Sequence, residues 1–437
     1  MSGEELVTLV CCDLGAIVRG RSLLAGDLGA RLELGVGWVP ANHALTPLGP
    51  LAEPNPFGST GDLRLLPDRA THVRVAGADH GGALRLMLCD ITETDGQPWE
   101  CCPRQFLRDA LRELHEELGA QVVASFEHEF QLLSDAPSAL PFSLAALRRA
   151  EPFAGELMGA LLEAGVHPEL LTAEFAAHQF EIPVEPAAGV AAADRSIVFR
   201  EVVRELARRH DLHASFAPLL DPADAGNGVH VHLSLLDASG RPLLYDAARP
   251  AGLSELGERF AAGILLHAAA LSALTAPSPA SAARLAPHHW SAGAVCLAER
   301  NREALLRIPP LSALPGAEPA SELRLEYRGA DASANPYLAL GAIVRAGLDG
   351  VRARLPAPPI LEVDPATLTD DEAVRYGVAA LPASLDDSLQ ALAGDATARG
   401  WMPPLLYEAY VAVKRAELEA VASLDLDGIC RRYGDVY

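Results

Sequence analysis

The chain has 437 residues, half of them hydrophobic, and carries 58 acidic against 35 basic side chains for a formal net charge of -23. That length is ample for a large core and more than one domain. The charge argues against nucleic acid or an anionic membrane as partner, and no apolar run approaches the ~20 residues of a membrane-spanning helix.

The opening MSGEELVTLVCCDLG is acidic and lacks the basic stretch of a signal peptide, so the expected location is cytoplasmic. Residues 1 to about 100 read as a small β-rich unit. Leu6 to Cys12 is a short apolar strand, Asp13-Leu14-Gly15 looks like a turn, and Ile17 to Arg21 starts a return strand. Asp13 is a turn residue or a catalytic base; turn aspartate is the commoner case. The Gly- and Pro-rich segment from Gly35 to Pro67 reads as loop. Val73–Val75 and Leu84–Cys89 supply further strands, closing at Asp90.

Pro103 opens a helix whose apolar residues fall three and four apart, and Gly119 ends it. The stretch SFEHEFQLL, Ser125 to Leu133, follows directly. Glu127, Glu129 and Gln131 alternate with Phe126, His128 and Phe130, so a strand puts acids on one face and aromatics on the other. Two neighbouring carboxylates on one face fit either a divalent cation held by oxygen ligands or a solvated sheet edge. Ser143 to Ala164 reads as helix, and Glu174 and Glu181 bracket a strand. A long helix spans Ala191 to His210.

Gly226-Asn-Gly-Val-His230-Val-His232-Leu-Ser234 is a Gly-rich turn feeding a strand with His230, His232 and Ser234 on one face. Such a pair of histidines leans towards a ligand or phosphate site, though the spacing also arises by chance. Arg284, Arg302 and Arg307 add positive charge. Arg324, Glu326 and Arg328 alternate along a further strand, as an ion-pair ladder or as a reader of carboxylate and phosphate. Asn335-Pro336 begins a helix running to Gly350. The seven cysteines include the adjacent pairs Cys11–Cys12 and Cys101–Cys102 and show no C-x-x-C spacing, which favours buried thiols over zinc or disulfides. Lys414 is the sole lysine, so a G-x-x-x-x-G-K-[ST] phosphate loop is excluded. If these strands line one cavity, its acids, imidazoles and guanidinium groups suit a polyphosphate, metal ions and an acidic substrate together.

From end to end the chain resembles the glutamine synthetase superfamily. The resemblance rests on Asp13-Leu-Gly, Glu127-His-Glu129, Glu174 with Gln179-Phe-Glu181, Gly226-Asn-Gly-Val-His230-Val-His232, Asn301-Arg302 with Arg307-Ile-Pro, Arg324-Leu-Glu326-Tyr-Arg328 and Asp331-Ala-Ser-Ala-Asn335-Pro-Tyr, in family order and spacing. It implies an α+β protein with an N-terminal β-grasp domain (1–100) and a larger catalytic domain (101–437) built on an open barrel of strands flanked by helices. It implies an ATP-dependent ligase that activates the γ-carboxylate of glutamate as an acyl phosphate and joins it to an amine. About two or three Mg²⁺ or Mn²⁺ ions would serve each site, in a homo-oligomer built as a dodecamer of two hexameric rings. By matching, Glu129, Glu174 and Glu181 would hold one ion, and Glu127, His230 and Glu326 another. Arg284, Arg328 and the Gly226 backbone would bind glutamate. Arg302, Arg307 and Arg324 would steady the nucleotide phosphates, with His232 and Ser234 nearby. Asp13, from the adjacent subunit, would help deprotonate the amine.

The departures concern substrate. Trp290, within His288-His289-Trp290-Ser291, stands where glutamine-forming members carry a flap glutamate, and a tryptophan suits an organic amine better than ammonium. The resemblance is therefore closer to the γ-glutamyl-amine ligase branch, with ammonium-using glutamine synthetase and a non-catalytic relative as the rival readings. His178 stands where the family often has Gly. No tyrosine lies between Leu361 and Asp371, the region of the regulatory adenylylation site in some bacterial members, which makes that control unexpected here.

Overall fold

The computed structural model describes residues 5–77, 82–134, 136–286 and 291–437. Short apolar alternations build a six-stranded sheet from the first part of the chain. Strands β1 (Leu6–Cys12) and β2 (Val18–Leu24) form the expected antiparallel hairpin, with Cys12 opposite Val18. A short helix, α1 (Leu28–Leu34), leads to β3 (Val36–Trp38). The sheet is completed by β4 (Leu63–Pro67), β5 (Val73–Val75) and β6 (Leu84–Glu93), in the order β2-β1-β6-β4-β3 with β5 on β6. The segment from Gly35 to Pro67 is thus not all loop: it holds β3 and β4. Leu63 and Leu65 are buried while Arg64 and Leu66 are half-buried. Such alternation over five residues is too short to stand out among glycines and prolines.

Helix α2 (Pro103–Leu118) starts on its proline and stops at Gly119, whose φ of 61° is left-handed. It delivers β7 (Gln121–Leu133), the longest strand. The expected helix from Ser143 to Ala164 is two, α3 (Leu144–Arg149) and α4 (Phe153–Glu163). Pro152 separates them, because it has no N–H to donate and restricts the residue before it. Next come β8 (Thr172–Ala173), β9 (Gln179–Ile182), β10 (Ala187–Ala188), α5 (Val190–Arg209), β11 (His213–Ser215) and β12 (Val229–Leu236). Helices α6 (Glu255–Leu266), α7 (Ala268–Thr275) and α8 (Ser281–Arg284) precede β13 (Ala294–Glu299) and β14 (Ala304–Ile308). After α9 (Pro319–Glu322) come β15 (Leu325–Tyr327), α10 (Pro336–Arg352) and β16 (Ile360–Leu361).

These strands form one ten-stranded sheet in the order β16-β13-β14-β15-β12-β7-β9-β8, with β10 and β11 also paired to β7. On the reverse of β7, Phe126, His128 and Phe130 are buried, as the alternation requires. His128 stacks on Phe199 of α5 at 4.9 Å, and Phe130 meets Phe216 at 5.6 Å. Asn335 caps α10 through Tyr337 N and Leu338 N, and its amide donates to the carbonyls of Cys12 and Asp13. That one side chain ties α10 to the β1–β2 hairpin. All seven cysteines are buried and unbridged. Among the described residues no helix is long and apolar enough to cross a membrane.

Candidate active site

Sheet register, rather than any single motif, assembles the polar residues. Across β7 and β9, Glu129 sits opposite Glu181. Across β7 and β12, Glu127 sits opposite His230. Across β12 and β15, His232 faces Glu326, which in turn faces Arg307 on β14. Period-two geometry puts all of these on the side away from the aromatic core. Oxygen or nitrogen atoms of Glu127, Glu181 and His230 lie within 4.8 Å of one another. His230 Nδ1 is 3.7 Å from Glu127 Oε1 and 4.0 Å from Glu326 Oε1, so the group extends to Glu326.

The acids at the β9 end have little positive charge beside them. Glu181 is pushed up to about 11 by burial and by Glu127, with Glu129 and Glu174 adding to the effect. Glu174 is pushed up to about 7 by burial and by Glu129. Glu127 is buried too, but hydrogen bonds from His230 and His232 hold it well below the usual carboxylate range. A proton on Glu181 therefore faces an ionised Glu127. Glu174 and Glu181 do not bracket a single strand as expected: Glu181 lies within β9, and Glu174 follows β8 directly. It lies in the turn between β8 and β9, where its N–H donates to Gln179 O. His178 in the same turn has φ 55°, a left-handed backbone that glycine adopts with least strain.

At the other end, Glu326 is 2% exposed yet lowered to about 2: burial opposes the shift, and His230, Arg328, His232 and Arg307 outweigh it. Arg307 Nη1 donates to its Oε2 at 2.7 Å and Arg328 Nη1 to its Oε1. Arg328 Nε donates to the Arg302 carbonyl, while the Arg302 side chain is exposed. Arg284 is buried, donates to Ala330 O at 2.8 Å and feels Asp331 and Glu129. Gly226 and Gly228 make room for it. A Cβ at Gly226 would stand 2.1 Å from Pro218 O, and one at Gly228 would stand 3.0 Å from Arg284 Nη1 and 3.4 Å from His230 Nε2.

His232 Nε2 lies 2.8 Å from Glu127 Oε2, and Arg324 Nε donates to its Nδ1 at 3.2 Å. That pair of contacts places the ring proton on Nε2. His232, Ser234, Arg324 and Glu127 line a cavity of about 480 Å³ whose other walls include Val123, Leu233, Leu236, Pro242 and Leu323. Arg307 turns to Glu326 instead.

Asp13 is enclosed by its own hairpin. Its carboxylate is buried, accepts from the N–H groups of Gly15 and Ile17, and pairs with Arg19. Burial raises its pKa. It is the turn residue of the β1–β2 hairpin and has no surface through which to reach an amine. Trp290 lies outside the described residues.

Three supporting residues, Gln179, Asn227 and Gly228, stand within the sequence motifs but were given no role there. Gln179 Nε2 donates to Gly226 O, to Asn227 Oδ1 and to Glu129 Oε2 at 2.9, 3.0 and 3.3 Å. Gly228 N donates to Glu129 Oε2 at 2.8 Å. Gln179 stands two residues before Glu181 and so shares its face, a signal present in the sequence.

Comparison with known proteins agrees with this geometry. The description "Glutamine synthetase, catalytic domain" matches residues 100–427, and "Glutamine synthetase N-terminal domain" matches residues 2–99. Gamma-glutamylpolyamine synthetase GlnA3 of Streptomyces coelicolor is 35% identical over 99% of this chain and 93% of its own length. Glutamine synthetase of Methanocaldococcus jannaschii is 31% identical over 82% of this chain and 79% of its own. A crystal structure described as a novel glutamine synthase homolog superposes with a TM-score of 0.93 at 45% identity, covering 100% of this chain and 99% of the other. Ligand-free GmaS superposes at 0.82 with 26% identity, covering 97% and 95%. Two matched models that together span nearly the whole sequence, over a cross-strand row of acids, imidazoles and guanidinium groups, place this chain in the glutamine synthetase family of ligases.

Proposed function

We propose that the protein activates the γ-carboxylate of glutamate with ATP and transfers the acyl group to an organic amine, giving a γ-glutamylamide, ADP and phosphate. The observation that carries the reading is the division of the site into an acid end and an arginine end on one sheet face. The donor set of carboxylate oxygens with one imidazole fits Mg²⁺ or Mn²⁺. Glu127, Glu181 and His230 would hold an ion, with Glu129, Glu174 and Glu326 as the remaining ligands of about two or three. A divalent cation, when bound, supplies positive charge to the phosphoryl oxygens.

The chain's own groups do the rest. Arg284 and Arg328, set by Ala330 and Glu326, are placed to bind the carboxylates of glutamate. The partly apolar cavity beside His232, Ser234 and Arg324 suits a nucleotide, with Arg324 towards its phosphates; Arg302 and Arg307 would join it on leaving the positions they hold in the free chain. A carboxylate has no good leaving group, so phosphoryl transfer to it comes first. The amine must then be neutral to attack. With Asp13 buried in its hairpin, the amine's proton would pass to a carboxylate oxygen of the acid end that a cation leaves free. We read the six-stranded sheet as a β-grasp-type domain over residues 1–100 and the ten-stranded sheet as an open catalytic barrel over 101–437. The assembly is proposed as two stacked hexameric rings in the cytoplasm.

The choice of an organic amine leans on the Streptomyces coelicolor relative and on Trp290. A panel of polyamines, ethanolamine and aromatic amines, with ammonium as comparator, tests it by phosphate release with ATP, Mg²⁺ and glutamate. At least one organic amine is expected to outpace ammonium. Equal or faster turnover with ammonium makes the protein a glutamine synthetase instead.

A further inference from the structure

Far from the acids in sequence, Tyr437 is 1% exposed and sits against both the N-terminal hairpin and the loop that enters the site. Its hydroxyl donates to Gly15 O at 2.8 Å, and its ring stacks on Tyr433 with 6.0 Å between centroids. Its carbonyl oxygen accepts from Phe216 N at 2.8 Å and from Arg204 Nη2 at 3.2 Å. One turn earlier, Gly434 O accepts from Ser215 Oγ at 2.8 Å. Tyr433 donates to Glu417, which pairs with Lys414; all three are buried.

The contacts continue from Phe216 into the site. Phe216 packs on Phe130 and His128, the reverse face of β7. The next two carbonyls hold Asn227: Ala217 O accepts from its side chain and Pro218 O from its backbone, each at 2.9 Å. Asn227 Oδ1 accepts from Gln179 Nε2, which also donates to Glu129. Gly228 N completes the hold on Glu129. Every group between Tyr437 and Glu129 is buried, so a shift at one end has little free volume in which to dissipate.

We infer that Tyr437 is a positioning residue for the acid end of the site: it wedges the Phe216–Gly228 loop and, through Asn227 and Gln179, fixes the carboxylate of Glu129. The inference rests on Glu129 serving the cation and glutamate. It distinguishes the two halves of the site, because His232 and Ser234 hang from β12, Arg324 directly precedes β15, and their hydrogen bonds run to Glu127, Leu323 and one another rather than to this chain of bonds.

The test compares Tyr437→Ala with Tyr437→Phe, measuring Mn²⁺ binding by calorimetry, the KM values for glutamate and for ATP, and thermal stability. Loss of the wedge is expected to weaken Mn²⁺ binding and raise the KM for glutamate by about tenfold, with the KM for ATP within about twofold, on the scale of one or two lost hydrogen bonds. Tyr437→Phe keeps the ring and the backbone carbonyl, and is expected to restore both to within about threefold. A lower melting temperature with Mn²⁺ and glutamate unaffected overturns the inference, as does equal weakening of glutamate and ATP. Should Tyr437→Ala fail to fold, Ser215→Ala decides: it cuts the bond to Gly434 O and the one that Ser215 Oγ accepts from Ala217 N in the same loop, and is expected to show the same selectivity at about threefold. Failure of the unaltered protein to bind Mn²⁺ would instead refute the cation reading of Glu129.

Discussion

The two ends of the site treat their carboxylates in opposite ways. Glu326 is gripped by Arg307 and Arg328 and stays ionised, lowered to about 2. Glu181, on the far side of β7 and β12, lies among Glu127, Glu129 and Glu174 and is pushed up to about 11. Burial is similar; the neighbours differ. The arginine end is complete within the chain, whereas the acid end is an arrangement that a divalent cation would relieve. A sheet can thus hold one buried carboxylate ionised between arginines and another protonated among acids, with only two strands between them.

The sharpest way to break this contrast is to remove an acid from the unbalanced end. Glu129→Ala is expected to lower phosphate-releasing turnover by about a thousandfold or more, since cation-assisted transfer supplies several kcal/mol. Circular dichroism and the elution volume on gel filtration should be unchanged. Near-normal turnover would remove the acid end from the chemistry.

The next contrast is in stability. Glu326→Ala takes away the carboxylate shared by Arg307 and Arg328, and should cost about 3 kcal/mol. Glu181→Gln, by contrast, spares the chain the proton that this buried carboxyl must take up on folding, and should stabilise the cation-free protein by about 1 kcal/mol. Urea unfolding in the presence of a chelator reads both. The same sign for both substitutions would show that the two ends are not differently balanced.

The smallest effect lies in pH. A carboxyl raised in the folded state binds a proton that the unfolded chain has already released. Without cation, stability therefore declines as pH rises above the ordinary value of 4.5 for Glu181 and Glu174. The Mn²⁺-induced rise in melting temperature should accordingly grow by a few degrees between about pH 6 and 8.5. A flat response would place the cation elsewhere.

How much of this was legible in the sequence follows from the range of each interaction. The strand alternations of β7, β12 and β15 are local, and each polar face was readable from its own residues. The juxtaposition of Glu129 with Glu181, or of Glu326 with Arg307, is a matter of register between distant segments, and only the family resemblance supplied it. Glu174 was misread because a turn residue beside a two-residue strand carries no periodicity. Asp13 was open between two roles. Its burial against Arg19 is a feature of packing that no local pattern carries. Lys414, the sole lysine, is a fully buried partner of Glu417, a fact that depends on the packing of the segments Pro404–Val421 and Leu426–Gly434.

The groups proposed to hold the cation come from β7, β9, β12 and β15 together. Slipping any one of these strands by a single residue would turn its polar face into the aromatic core. Ion uptake therefore reports on the pairing of the whole sheet: a misfolded chain with one strand out of step would present too few donors to load, and metal occupancy would separate correctly zipped molecules from the rest.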